Sequence, residues 1–163
     1  MFSVIFPGQG SQIVGMGKDL HSKYNIIKKL FKEADEILGF SISNIILEGP
    51  KEKLDLTENT QPAIFLLGYS IFNLLKKENF IDLNKAKFFA GHSLGEYTAL
   101  ASAEVLSFSE TLRILKIRGN AMQNSVPKGE GGMVAVLGSD IKKIEDIINN
   151  NNKLYECFIA NDN

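Results

Sequence analysis

The chain has 163 residues, 44% of them hydrophobic, and a formal net charge of −1; it can bury a substantial core and offers no electrostatic case for binding nucleic acid. Cys157 is the only cysteine, which excludes an intrachain disulfide and a cysteine-rich metal site and reads as a buried thiol on a strand. No apolar stretch is long enough to span a bilayer, and Val4-Ile5-Phe6 follows the start without a basic leader.

Ser3 to Phe6 is predicted as a first strand, broken by Pro7-Gly8 and a glycine-rich turn that runs to Gly17. Lys18 to Leu38 has helical spacing at Ile26, Ile27, Leu30, Ala34, Ile37 and Leu38, and Gly39 provides a stop. Asn44 to Leu47 reads as a short helix, Glu48 to Asn59 as a charged loop, and Pro62 as the first-turn proline of a helix reaching Lys77. His21, near the start of a helix, is expected to be solvated.

Lys87-Phe88-Phe89-Ala90 is a short apolar run suited to a core strand, and Glu96 to Val105 is a breaker-free stretch rich in Ala, Leu and Glu. Between them lies Gly91-His92-Ser93-Leu94-Gly95, the Gly-x-Ser-x-Gly spacing of a nucleophile elbow in the strand–turn–helix context that such an elbow requires. Gly91 and Gly95 remove Cβ atoms that would clash where strand and helix cross. The helix that follows aims the positive end of its dipole at the site where an oxyanion would form. The alternative is an ordinary connection in which Ser93 serves as a helix cap.

Ser107 and Glu110 form a capping box that opens a helix to about Val126. Past the Gly-rich joint at Pro127 to Gly132, Met133 to Leu137 is predicted as a strand, Asp140 to Asn149 as a helix and Leu154 to Ala160 as a strand. This β-α-β unit reads as the opening of a separate small subdomain. Asn149 to Asn152 reads as a polar loop.

Four ordered segments, Phe6-Pro7-Gly8-Gln9-Gly10-Ser11-Gln12, Thr60-Gln61-Pro62-Ala63, the elbow, and Arg118-Gly119-Asn120-Ala121-Met122, resemble the malonyl-CoA:acyl carrier protein transacylase family of fatty acid and polyketide synthesis. The resemblance spans essentially the whole chain. It implies an α/β fold: a parallel-sheet, hydrolase-like core with a nucleophile elbow over residues 1–127, and the start of a small ferredoxin-like α+β subdomain over 128–163. It also implies transfer of a malonyl group from malonyl-CoA to the phosphopantetheine thiol of acyl carrier protein through an acyl-serine ester. No cofactor beyond the coenzyme A thioester and no metal are implied, and the partners are malonyl-CoA and acyl carrier protein, with neither nucleic acid nor membrane. The expected setting is soluble, in the cytoplasm or, after removal of a targeting segment, in a plastid or other organelle stroma.

By the same resemblance Ser93 is the nucleophile, Gln9 and the backbone N–H of Leu94 are oxyanion-hole donors, and Arg118 holds the substrate carboxylate. Arg118 is one of two arginines in a lysine-biased chain, and a planar fork suits a bidentate carboxylate contact; a structural ion pair or a snorkelling side chain is the alternative. Met122 matches a pocket-lining position, although its periodicity also fits core. His92 has a pocket or a structural role, and the residue beside the serine on a sharp turn points away from it, so it is a poor base. Asn161 matches an Asn-x-Asn segment bordering the site. The family's base is a histidine downstream of the small subdomain, and no histidine follows His92. The residues therefore read as the N-terminal portion of such an enzyme. A serine hydrolase or thioesterase, or a catalytically incomplete carrier-binding fragment, are the rival readings.

Overall fold

In the computed structural model the described residues are 1–125, 130, 132, 134–151 and 156–159. The chain divides into two compact units, Met1–Lys128 and Gly129–Asn163.

The first unit begins with β1 (Phe2–Phe6), which pairs in parallel with β2 (Ala86–Gly91) in a two-stranded sheet. Parallel strands need a long crossover, and here it is supplied by five helices: α1 (Lys18–Lys23), α2 (Asn25–Leu38), α3 (Ile42–Glu48), α4 (Lys51–Leu54) and α5 (Thr57–Glu78). After β2 come α6 (Leu94–Ser102) and α7 (Phe108–Asn124). The result is a mixed α/β fold with a small parallel sheet. Phe6 stands opposite Gly91 in the register, so the turn after β1 and the turn after β2 leave the sheet at the same edge.

The core lies among the helices. Ile27, Phe31 and Ala34 of α2, Ile42 and Ile46 of α3, Ala63 to Leu66 of α5, Leu94 of α6 and Leu112 and Leu115 of α7 form one buried cluster. Helix α5 is its axis: residues Asn59 to Leu66 are all buried, as expected of a helix surrounded by others. The polar members of that run are satisfied, since Asn59 Nδ2 donates to Lys53 O at 2.9 Å and Thr60 Oγ1 to Leu54 O at 2.6 Å. These bonds explain why the predicted charged loop is structured. They tie the carbonyl end of α4 to the first turn of α5, which starts five residues before Pro62 rather than at it.

The single helix predicted over Lys18 to Leu38 is divided at Tyr24, whose backbone is extended (φ −116°, ψ 119°). The break folds α1 back on α2, placing the His21 ring 5.1 Å from that of Phe31. His21 is thus half-buried rather than solvated, and burial, followed by the charge of Lys28, lowers its pKa. Gly39 ends α2 in the left-handed conformation (φ 75°), and Ser107 opens α7 with the full capping box.

In the second unit α8 spans Ile141–Asn151. The described parts of the two strands predicted beside it, 134–137 and 156–159, carry no strand structure and are exposed. No ladder partner stands against them among the described residues, and an isolated extended segment has nothing to satisfy its backbone. Met133, residues 154–155 and Ala160 lie outside the described residues. Cys157 is exposed and off any strand, which corrects the buried-thiol expectation for the same reason.

Candidate active site

The turn between β2 and α6 is built by close backbone approach. A Cβ on Gly91 would lie 1.9 Å from the carbonyl carbon of Gly95, and one on Gly95 would lie 2.4 Å from Phe6 O and 2.7 Å from Pro7 O. Glycine is thus required at both positions, and Gly95 is pressed between Gly91 of its own strand and the end of β1. His92 N–H donates to Phe6 O at 3.1 Å, locking the turn to β1. Between the glycines Ser93 has φ 53° and ψ −113°, a conformation that costs a non-glycine residue on the order of 1–3 kcal/mol. Its side chain makes no cap bond to α6, so the helix-cap alternative is not what holds it there; Ser93 is exposed at the top of the turn.

The amides that follow are arranged in order. Gly95 N–H donates to His92 O at 2.8 Å and Glu96 N–H to Ser93 O at 3.1 Å. Leu94, whose side chain is fully buried, has a backbone N–H with no acceptor among the described residues at the first position of α6. The positive end of the α6 dipole is at this spot.

Arg118 reaches the serine from α7. Its Nη2 donates to Ser93 Oγ at 3.1 Å, its Nη1 donates to Gln61 Oε1 at 2.7 Å, and its Cζ sits 5.7 Å from the centre of the Tyr97 ring. All three partners are neutral, and no carboxylate pairs with Arg118 among the described residues. The expected alternative of a structural ion pair is therefore absent among those residues. Met122, one turn further on and 39% exposed, accepts from Gln61 Nε2 through its sulfur at 3.2 Å, so it borders the same space instead of filling the core.

Gln9 lies in the exposed loop after β1, where its Nε2 donates to Thr57 Oγ1 at 3.4 Å. That loop is braced from within: Ser11 Oγ donates to Gly8 O at 3.0 Å and Gly10 N–H to Gln12 Oε1 at 2.8 Å. Gln12 Nε2 in turn donates to Asp55 Oδ1 at 3.0 Å, and this bond, with that from Lys51, holds the Asp55 carboxyl below the usual range. The His92 ring packs on Gly8, where a Cβ would lie 2.5 Å from Nδ1. Asn161 lies outside the described residues.

Sequence reasoning assigned no role to Gln61, Tyr97 or Gly119. Gln61 is fully buried yet bonded on both ends of its amide, and it stands in a run of buried polar residues, Asn59 to Gln61, that opens the apolar part of the helix. Gly119 permits the close crossing of α7 over the start of α5, where its Cβ would fall 2.7 Å from Glu58 Cα.

The serine at a strained strand–helix turn and the guanidinium beside it lie in a chain whose residues 3–163 match the acyl transferase domain family. The chain belongs to that family. It is 43% identical over 143 residues to the malonyl CoA-acyl carrier protein transacylase of Haemophilus influenzae, covering 88% of this chain and 45% of that protein. The crystal structure of acyl-carrier-protein-S-malonyltransferase from Bartonella henselae superimposes with a TM-score of 0.91 at 44% identity, covering 100% of this chain and 52% of that one. A malonyl-transacylase solved in complex with its type II PKS acyl-carrier protein gives 0.84 at 36% identity, covering 91% and 47%. The chain thus spans about half the length of the relatives it matches. No helix among the described residues is long and apolar enough to cross a membrane.

Proposed function

We propose that this chain carries the acyl-loading site of a malonyl-CoA:acyl carrier protein transacylase of fatty acid synthesis. The observation that carries the reading is the Arg118 guanidinium, free of any carboxylate among the described residues, 3.1 Å from the Ser93 hydroxyl oxygen. A cation in direct reach of a nucleophile, with no anion of its own, is placed to take the anionic end of a short acyl group.

In this reading Gly91 to Gly95 is a nucleophile elbow, and Ser93 Oγ attacks the thioester carbonyl carbon of malonyl-CoA. The O–C bond forms and the C–S bond breaks, and coenzyme A leaves as the thiol with the proton that a base took from Ser93. Because Ser93 Oγ accepts from Arg118, its own proton is left to be given away. Neither His21 nor His92 hydrogen-bonds Ser93 among the described residues, and the family resemblance assigns the base to a histidine downstream of the small subdomain. The Leu94 amide and the Gln9 side chain stabilise the oxyanion, with the α6 dipole behind them. Arg118 holds the malonyl carboxylate, and His92 and Met122 border it. The carrier's phosphopantetheine thiol then attacks the acyl-serine, forming C–S, breaking C–O and returning the proton to Ser93.

One thioester is exchanged for another, so the transfer is close to thermoneutral overall and needs no further cofactor. Residues 1–127 form the hydrolase-like core and 128–163 open a ferredoxin-like subdomain, a reading supported by the spacing of Ile141, Ile144 and Ile148 on one side of α8. The enzyme works in solution, in the cytoplasm or an organelle stroma.

The test is intact-mass analysis of the full-length gene product after incubation with malonyl-CoA. One malonyl group is gained on Ser93 and none on Ser93→Ala; undiminished acylation of the Ala variant overturns the assignment. Added carrier protein is malonylated in the transferase reading, whereas release of free malonate without transfer would make it a thioesterase.

A further inference from the structure

Arg118 and Gln61 stand on different helices, and the contact between them is the shortest that the guanidinium makes, 2.7 Å from Nη1 to Oε1. Gln61 has no exposed surface. Its other end donates to the Met122 thioether at 3.2 Å, which fixes the sense of the amide: turned over, it would set NH2 against the donors of Arg118 and carbonyl oxygen against sulfur. Tyr97 presents its ring to the guanidinium, and Gly119 lets α7 approach α5 closely enough for the bond to form. Every one of these supports is uncharged.

We propose that Gln61 is a positioning residue that orients Arg118 while leaving its charge uncompensated, and so sets the preference for carboxylated acyl groups over plain ones. The inference rests on the reading of Arg118 given above and adds a residue and a physical requirement to it. A buried acceptor is needed, because a half-buried guanidinium with no fixed partner would sample many rotamers and lose its aim. A buried carboxylate would meet that need and defeat the purpose, since an internal ion pair would compete with the substrate anion for the same fork. The amide is the acceptor of the same shape that does not neutralise.

Glutamate is nearly isosteric with glutamine, which makes Gln61→Glu the decisive variant. In the full-length protein, kcat/KM for loading from malonyl-CoA and acetyl-CoA is compared across wild type, Gln61→Glu and Gln61→Leu, with folding checked by thermal melting. Gln61→Glu lowers the malonyl-to-acetyl ratio by about ten- to hundredfold, the worth of a hydrogen bond to a charged group, while acetyl loading is largely kept. Gln61→Leu, which unsettles Arg118 without neutralising it, loses less of the ratio and loses it mainly in KM. A folded Gln61→Glu enzyme with the wild-type ratio, or losses shared equally by both acyl groups, overturns the proposal.

Calorimetric titration with malonate, against acetate, separates this inference from the catalytic one. Malonate bound by wild type, more weakly by Gln61→Leu and not by Gln61→Glu supports it even if Ser93 takes no acyl group, whereas Gln61→Leu binding as tightly as wild type removes the positioning role. Equal binding by all three, or none by wild type, refutes it.

Discussion

Gly119 and Glu58 meet backbone to backbone: a Cβ on Gly119 would lie 2.7 Å from Glu58 Cα and 2.8 Å from Thr57 O. In an exposed helix Gly→Ala stabilises by about 0.5–1 kcal/mol. Here the sign reverses, because the methyl group would force α7 away from α5, with overpacking costs of roughly 1–3 kcal/mol. Gly119→Ala should therefore lower the denaturant midpoint and, by moving Arg118 away from Gln61 and Ser93, depress malonyl loading. A midpoint equal to or above that of wild type would show that the crossing has slack.

Gln9 presents its amide from a loop that Ser11, Gln12 and Asp55 hold in shape, and its own bond to Thr57 is long at 3.4 Å. Little stability rides on that side chain, so Gln9→Ala should leave the melting temperature and malonyl-CoA affinity nearly unchanged. Loss of one oxyanion donor slows turnover by about a hundred- to thousandfold. Single-turnover loading measures it, and an unchanged rate would assign Gln9 to the turn alone.

Ser107 accepts from Glu110 N–H at 3.2 Å, and Glu110 Oε2 accepts from Ser107 N–H at 3.0 Å. Ser107→Ala should destabilise by about 1 kcal/mol through loss of the cap. The box also has a pH signature, for bonds from the Ser107 hydroxyl and amide hold the Glu110 carboxyl below its ordinary value of 4.5. A depressed carboxyl contributes stability that is complete above its unfolded value and is lost as pH falls through the folded one. Wild type should therefore lose stability relative to Ser107→Ala as pH drops below about 4.5, read by urea denaturation across that range. Parallel pH curves for the two proteins would contradict the box's role.

The glycine spacing about Ser93, the capping box and Gly39 were legible in the sequence because each depends on local backbone chemistry. Tyr24 was not: its extended backbone is imposed by packing α1 onto Phe31, and nothing in the spacing of apolar residues marks the break. Helix α4 and the early start of α5 were hidden for a similar reason, since their charged residues read as loop until Asn59 and Thr60 are seen to bind α4 carbonyls. Within the candidate site, Ser93 was singled out by its glycine spacing and Arg118 by the family resemblance. Gln61 went unassigned because its importance comes from a partner 57 positions away, a relationship that no local pattern encodes.

Arg118 tests the substrate class itself. Among the described residues its guanidinium bonds the Ser93 hydroxyl and the Gln61 amide and faces the Tyr97 ring, so Arg118→Ala breaks no ion pair there but leaves the buried Gln61 oxygen without its donor, at a cost of about 1–3 kcal/mol. If the fork holds the malonyl carboxylate, its removal leaves a partly desolvated anion unpaired, at a cost of about 2 kcal/mol or more. Malonyl loading should collapse. Acetyl-CoA lacks the distal carboxylate and should lose far less, so the preference swings toward acetyl. Arg118→Lys should rescue malonyl loading only in part, because an ammonium keeps the charge but cannot bond both carboxylate oxygens while also reaching Gln61. The measurement is kcat/KM for both thioesters in wild type and the two variants of the full-length protein, with thermal melting to confirm folding. Equal losses for both substrates in a folded Arg118→Ala protein would make Arg118 a support for Ser93 and remove the physical basis for a dicarboxylic substrate.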